Sequence, residues 1–393
     1  MAPRAHALLS ASSAARWINC PGSVKLSELF PESPGSVYTE EGTLAHAMAE
    51  EYLKTRLGRV PIKLRKDIRT FYEGHPELNG SYEEMEGYII PYCEWVLEEL
   101  TAMQTRLGSA ELKLEERFSM EEWIPEGFGT SDVVIYGDGE LHIIDLKYGK
   151  GVAVSAEDNP QLKLYALGTL SVVELITDID TVSMSIYQPR LDNISTAKMK
   201  ANELKAWGEK VVKPAAKEAL SDDARFHAGE AQCRWCPAKA RCKVRAVSYS
   251  RLDTLRRQAL LSNEDIAKAL KWAEGLDSWV SDIKDLALKE ALEGDGIPGY
   301  KVVEGRSNRK YTVDDQTIAK AATDAGYDES LIWERKLLTL SNMEKLVGKK
   351  QFLEIFKGMW EKPEGKPTLV PESDKRPAIG PKTAEDDFAD DFE

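Results

Sequence analysis

Cysteine is scarce in this sequence. Five in 393 residues cannot make a disulfide framework for so long a chain, so a reducing, cytoplasmic setting is the default expectation. Long apolar runs are missing too. No stretch approaches the ~20 consecutive apolar residues that span a bilayer, and we expect no membrane association. The N-terminal MAPRAHALLSASSAARW is rich in Ala and Ser but has no long apolar core ahead of a cleavage site, so it does not read as a secretory signal. No internal repeat is visible. Positive charge is the remaining shortage, with a net charge of -14 at pH 7. Residues 385–393, EDDFADDFE, hold six acids and no base, which leaves -8 for residues 1–384. Such a chain is poorly suited to coating nucleic acid, whose phosphates need Lys and Arg. It can still grip nucleic acid in a local groove. The basic stretches 54–66, 234–245 and 306–310 are candidates for such a groove, and equally for ordinary solvated faces.

What is present is enough chain for a large core and one or two smaller units. We expect one module over 1–250, a long helical connector over 251–298, a small unit with one strand and several helices over 299–360, and a disordered acidic tail over 361–393. Helices are predicted over 40–57 with Thr39 as cap, over 82–107 with a bend at Pro91, from Asn159-Pro160 onward, and over 201–220. A single long helix is predicted over 262–293, opened by a capping box of Ser262 and Asp265, and a second such box stands at Ser341 and Glu344. Strands are predicted over 112–120, 132–136, 141–148, 181–188 and 300–303. Strand, hairpin, helix and strand in that order indicate an α/β fold built on a mixed sheet flanked by helices.

The hairpin carries the chemistry. Gly137-Asp138-Gly139-Glu140 is its turn. Asp145 and Lys147, two apart on one strand, point to the same face, and Asp132 enters from the neighbouring strand. Two carboxylates and a backbone carbonyl can hold a hard cation such as Mg2+, with water and phosphate oxygens filling its other positions. The Lys147 ammonium is then placed to orient the attacking water, to help deprotonate it, or to offset transition-state charge. A D-x-K tripeptide alone is a weak signal, and His46 on a mostly apolar helix has the pattern of a structural histidine. Gln161 and Tyr165, four apart, share one helix face.

Cys233, Cys236 and Cys242 are the denser signal: three thiols within ten residues offer a soft-metal site that lacks one ligand. Cys20, in the tight Cys20-Pro21-Gly22 loop, is the candidate fourth. Cys93, inside a helix, reads as a small buried hydrophobe.

Gly129 to Asp132, Asp145-Leu146-Lys147, Gln161-x-x-x-Tyr165 and Gly42-x-x-x-His46 together resemble the RecB-like branch of the PD-(D/E)XK (restriction-endonuclease-like) nuclease superfamily, over about residues 12–245. The resemblance implies a metal-dependent DNA nuclease using Mg2+ or Mn2+, acting on DNA ends or single strands as an exonuclease. It makes His46, Asp132, Asp145 and the Leu146 carbonyl the metal ligands and Lys147 the catalytic lysine. Gln161 and Tyr165 become DNA-contacting or site-ordering residues. One distant cysteine followed by three clustered ones resembles the iron-sulfur staple of AddB-type nucleases, which implies a [4Fe-4S] cluster on Cys20, Cys233, Cys236 and Cys242. A structural Zn2+ on the same thiolates is the competing assignment. The chain as a whole resembles an uncharacterised family carried by phages and prophages, which implies a bacterial host cytoplasm and a role in recombination, replication or repair. The acidic tail with Phe388 and Phe392 resembles the aromatic-tipped acidic tails by which single-stranded-DNA-binding proteins dock partner enzymes, which implies binding to a basic groove of this chain or to a partner, such as a single-stranded-DNA-binding or recombination protein; a solubilising disordered end is the alternative. The alternatives are a non-catalytic DNA-binding or scaffold protein that keeps the nuclease fold and works through a partner, and a zinc-stapled RNA-binding protein, for which no recognisable motif is present.

Overall fold

A computed structural model describes residues 7–30, 35–252, 261–303, 314–326, 328, 332–333, 340, 343 and 347–360. The chain divides into two compact units, Met1–Val303 and Glu304–Glu393. The first holds a five-stranded mixed sheet in the order β1-β2-β3-β4-β5, formed by Glu111–Ser119, Phe128–Gly137, Gly139–Leu146, Ile179–Gln188 and Asn193–Lys200. Only β3 and β4 run parallel; the other neighbours are antiparallel. The crossover between the parallel pair is the helix Pro160–Val173, as such a connection requires.

The pleat sends alternate residues of the central strands into two separate cores. Val134, Tyr136, Leu141, Ile143, Val182, Met184 and Ile186 join one core. Val133, Ile135, Ile144 and Leu146 join the other. With both faces covered, β3 reads as a nearly continuous apolar run broken by His142 and Asp145. The first core is closed by helices α1 (Ala14–Asn19), α6 (Pro160–Val173), α7 (Ala201–Trp207) and α8 (Lys213–Ala219). The second is closed by α3 (Val37–Lys54), α4 (Ile62–Gly74) and α5 (Tyr82–Leu107). The short α2 (Ser23–Ser27) follows α1. Among the described residues, four more helices complete the unit: α9 (Glu230–Arg234), α10 (Lys243–Ser248), α11 (Asn263–Ala273) and α12 (Leu276–Glu293). In the second unit the described helices are α13 (Asp315–Asp324) and α14 (Lys349–Ile355).

Several expectations change. Helix α3 starts a turn earlier than predicted, because the Ser36 hydroxyl accepts the Thr39 N–H, and it stops at Lys54, before Arg56 and Leu57 adopt positive φ. The predicted helix 262–293 is two helices, broken at Gly275 with φ +75°; its capping box of Ser262 and Asp265 is present. The predicted helix 201–220 contains a wider π turn at Gly208–Val212. Residues 300–303 form no strand: they have no pairing partner among the described residues, and Tyr300 is exposed. Helix α4 and strand β5 were not predicted. The apolar Ile68, Phe71 and Tyr72 of α4 lie beneath a basic surface, and β5 is an edge strand with Asn193, Ser195, Ala197 and Met199 on its half-buried face and Ile194, Thr196, Lys198 and Lys200 exposed. The basic stretch 306–310, the box at Ser341 and Glu344, and the acidic tail 361–393 lie outside the described residues.

Candidate metal centre and cysteine cluster

The sheet pairing of β2 with β3 begins at Val133↔Ile144. Asp132, one residue before it, is free to reach across: its Oδ2 accepts the Leu146 backbone N–H at 2.8 Å, while its Oδ1 lies 3.4 Å from His46 Nδ1 on α3. Leu146 thus meets Asp132 through its backbone N–H. The strand β1 register places Glu115 opposite Asp132, between the pairs Leu114↔Val133 and Glu116↔Ser131, yet that one pair is skipped. There Glu115 takes φ +48°, a left-handed conformation that costs a non-glycine residue ~1–2 kcal/mol. Strain of this kind in mid-strand persists only where the surroundings enforce it, and it gathers at functional sites.

The result is a group of three donors, His46, Glu115 and Asp132, with ligand atoms all within 4.8 Å of one another. Among the described residues it is the one such group of His, Cys, Asp and Glu. A cavity of about 10 Å³ adjoins it, lined also by Glu50, Tyr92 and Leu146, room for one small ion or water. Glu115 is the residue that sequence reasoning missed. Burial and the Asp132 charge raise its carboxyl to about 7. Burial alone would discharge His46, but the hydrogen bond and charge of Asp132, with Asp145 and Glu115 behind, outweigh it and raise the imidazole to about 8.

Asp145 and Lys147 stand beside this group, on the α6 side of the sheet. Lys147 Nζ is 2.9 Å from Asp145 Oδ2 and 3.2 Å from Oδ1. Gln161 on α6 ties the pair together: its Oε1 accepts from Lys147 Nζ at 3.4 Å, and its Nε2 donates to Asp145 Oδ1 at 3.2 Å and to the Tyr165 hydroxyl at 3.0 Å. The helix start that aims Gln161 is set by Asn159, whose side chain accepts the Gln161 and Leu162 N–H groups. Asp145 is buried, and its Oδ2 faces the ammonium without a properly directed hydrogen bond. Burial pushes the Asp145 carboxyl up against the opposing pull of Lys147. For Lys147 the balance runs the other way: burial disfavours the ammonium, but Asp145 more than compensates and raises it. Burial and the Asp145 charge raise the Tyr165 phenol to about 12.

A buried ion pair braces the site from behind. Arg190, in the turn after β4, donates to Glu41 Oε2 of α3 at 2.8 Å, and Tyr72 donates to the other oxygen at 2.9 Å. The same guanidinium lies 4.7 Å from the ring of Tyr148, the residue after Lys147. One pair therefore connects the helix bearing His46 to the strand end bearing Lys147.

The four predicted cysteines converge. Cys20, Cys233, Cys236 and Cys242 line one cavity of about 20 Å³, and all are free thiols. Cys93 is buried elsewhere, its Sγ 3.7 Å from the Ala49 carbonyl. The Cys20 loop is clamped against residues 225–227: Gly22 N–H donates to the Arg225 carbonyl at 2.9 Å, and His227 N–H to Cys20 Sγ at 3.3 Å. A Cβ on Gly22 would meet the Ala224 carbonyl and the Phe226 ring at 2.9 Å, so this close approach needs glycine. Helix α12 holds the other side, with Asp282 bonded to Lys239 (2.6 Å) and to buried Arg245 (2.7 Å), and Glu290 to Arg241.

No helix among the described residues is long and apolar enough to cross a membrane. Among solved structures, the chain is similar to one titled "Crystal structure of SSO0001", at 14% identity over 50% of this chain and 95% of that one, with a TM-score of 0.20, a likeness too slight to bear on the fold. A family model described as "Protein of unknown function (DUF2800)" matches residues 6–377. That match spans nearly the whole sequence, both structural units included, and the chain belongs to this family.

Proposed function

We propose that this chain is a metal-dependent deoxyribonuclease with a PD-(D/E)XK-type core, an exonuclease acting on DNA ends or single strands in phage recombination, replication or repair. The supporting observation is convergence. Side chains from α3 (His46), β1 (Glu115), β2 (Asp132), β3 (Asp145, Lys147) and α6 (Gln161, Tyr165) meet at one end of the sheet. Separately, none of them is diagnostic.

One imidazole and three carboxylates suit Mg2+ or Mn2+. The close approach of His46, Glu115 and Asp132 fits such an ion; Asp145 stands beside them, its Oδ2 paired with Lys147. A divalent cation bound there would neutralise phosphate charge and lower the pKa of a bound water. The chain's own groups do the rest. Lys147, its ammonium stabilised by Asp145, keeps its proton at neutral pH and acts as a fixed positive charge toward the anionic transition state. Gln161 holds both members of that pair in place. Glu115, raised to about 7 in the metal-free site, would give up its proton on ligating the cation.

The thiols fit a metal group as well. Zinc–sulfur bonds of ~2.3 Å would draw tetrahedral thiolates to ~3.8 Å from one another. Four thiols lining one cavity are the donor set of a [4Fe-4S] cluster, with a structural Zn2+ as the competing assignment. In this reading the cluster is structural, joining segments more than 200 residues apart.

The test is an anaerobic preparation assayed on end-labelled single- and double-stranded DNA with Mg2+ or Mn2+, beside Lys147→Ala. Degradation by the wild type and a loss of at least ~100-fold in the variant are expected. Equal cleavage by both, or none by the wild type, would overturn the proposal.

A further inference from the structure

A larger cavity, of about 570 Å³, opens beside the cysteine segment, and Cys233 lines both. Its walls come from α9, α10, α11 and the Gly275 break that separates α11 from α12. Five Lys and Arg residues line it against two Glu, with Arg245 offset by Asp282 and Lys268 lying 3.5 Å from Asp265, in a chain of net charge -14. Lys268, Lys271 and Trp272 recur at i, i+3 and i+4 on α11 and so share one face. Both lysines are exposed and Trp272 is half-buried. Arg234 contributes from the opposite wall. Arg245 is buried and paired with Asp282, and Tyr249 packs on Trp279 with ring centroids 5.1 Å apart and the rings tilted by 31°.

Exposed cations around an aromatic face are the elements of single-strand recognition, in which phosphates follow the charges and a base stacks on the ring. A duplex keeps its bases stacked inside and would have to flip one out, at the cost of unpairing and unstacking it, to place it in a pocket. We propose that this cavity binds single-stranded nucleic acid, with phosphates on Arg234, Lys268 and Lys271 and one base on Trp272. The inference deepens the nuclease reading and takes its biological sense from it: the cavity would hold the strand while the acidic centre cuts it.

The full-length protein is titrated with fluorescein-labelled oligo-dT in EDTA, which separates binding from cleavage, and anisotropy is read at several salt concentrations. Lys268→Glu/Lys271→Glu should weaken binding at least tenfold and, because two phosphates are no longer neutralised, flatten the slope of log K against log salt by ~1.4. Trp272→Ala should weaken binding to oligo-dT but not to an abasic strand of equal length, and Trp272→Phe should restore it. Both lysines are exposed, so the double variant should fold; circular dichroism checks this. Unchanged affinity and salt slope in the double variant, or equal binding of a matched duplex with equal loss, would overturn the proposal. The two readings fail separately. A wild type that binds through these residues but never cuts keeps this site and loses the nuclease; one that cuts with unaltered binding in the variants does the reverse.

Discussion

The protonation of His46 gives a quantitative test of the candidate metal centre. In the metal-free protein its imidazole is raised from 6.5 to about 8. A folded-state pKa above the unfolded one means that the folded chain holds the proton more tightly, so stability falls as pH rises. The contribution is fully present below pH 6.5 and is lost as pH rises through 8. At ~1.36 kcal/mol per unit, this amounts to about 2 kcal/mol. Glu115, raised to about 7, acts in the same direction, but it is only about half-buried and solvent screening reduces its share. A bound cation reverses the dependence, because a ligating imidazole must be neutral: Mn2+ or Mg2+ should bind more tightly as pH rises toward 8 and should release a proton on binding below it. The chain has five histidines, few enough for their imidazole resonances to be followed by NMR in EDTA. One should titrate near pH 8 and vanish in His46→Asn, and the stability of wild type minus His46→Asn, from urea unfolding, should fall by about 2 kcal/mol between pH 6 and 9. Five resonances all titrating at or below 6.5, or a stability difference that stays flat or rises with pH, would refute the reasoning.

Three further outcomes are expected. Arg190→Met leaves Glu41 buried without its cation and should cost about 3–5 kcal/mol in urea unfolding, whereas Glu41→Gln/Arg190→Met should lose clearly less than the sum of the two single variants; additive losses would mean that the pair is not coupled. Gly168→Ala places a Cβ 2.2 Å from the Phe118 ring where α6 packs on β1, and should cost about 1–3 kcal/mol, visible as a lowered Tm. Cys242→Ser should lose bound metal and solubility together, with metal analysis of the wild type giving iron rather than zinc; a soluble, metal-free and active variant would remove the structural role of the thiols.

Much of the frame could be read from the chain because its signals are local. Gly137-Asp138-Gly139 marks a hairpin turn whatever lies around it, Asn159-Pro160 marks a helix start, and the two-residue spacing of Asp145 and Lys147 fixes a shared face once a strand is assumed. What escaped notice depends on distant partners. Arg190 and Glu41 are 149 residues apart, and each alone looks like a surface charge. Strand β5 exposes one face at the sheet edge, so its residues never build the apolar alternation by which strands are recognised. Glu115 is the sharpest case. It lies in Leu112–Met120, where Glu115, Glu116 and Arg117 follow one another and nothing local distinguishes the first from the second. Glu116 pairs regularly with Ser131 and is exposed. Glu115 differs only because the register sets it opposite Asp132, where the strand gives up one pair and accepts a positive φ. The strain and the raised carboxyl pKa mark the same position: the register that sets Glu115 against Asp132 costs a ladder pair and a relaxed backbone, the kind of local cost that gathers at functional sites.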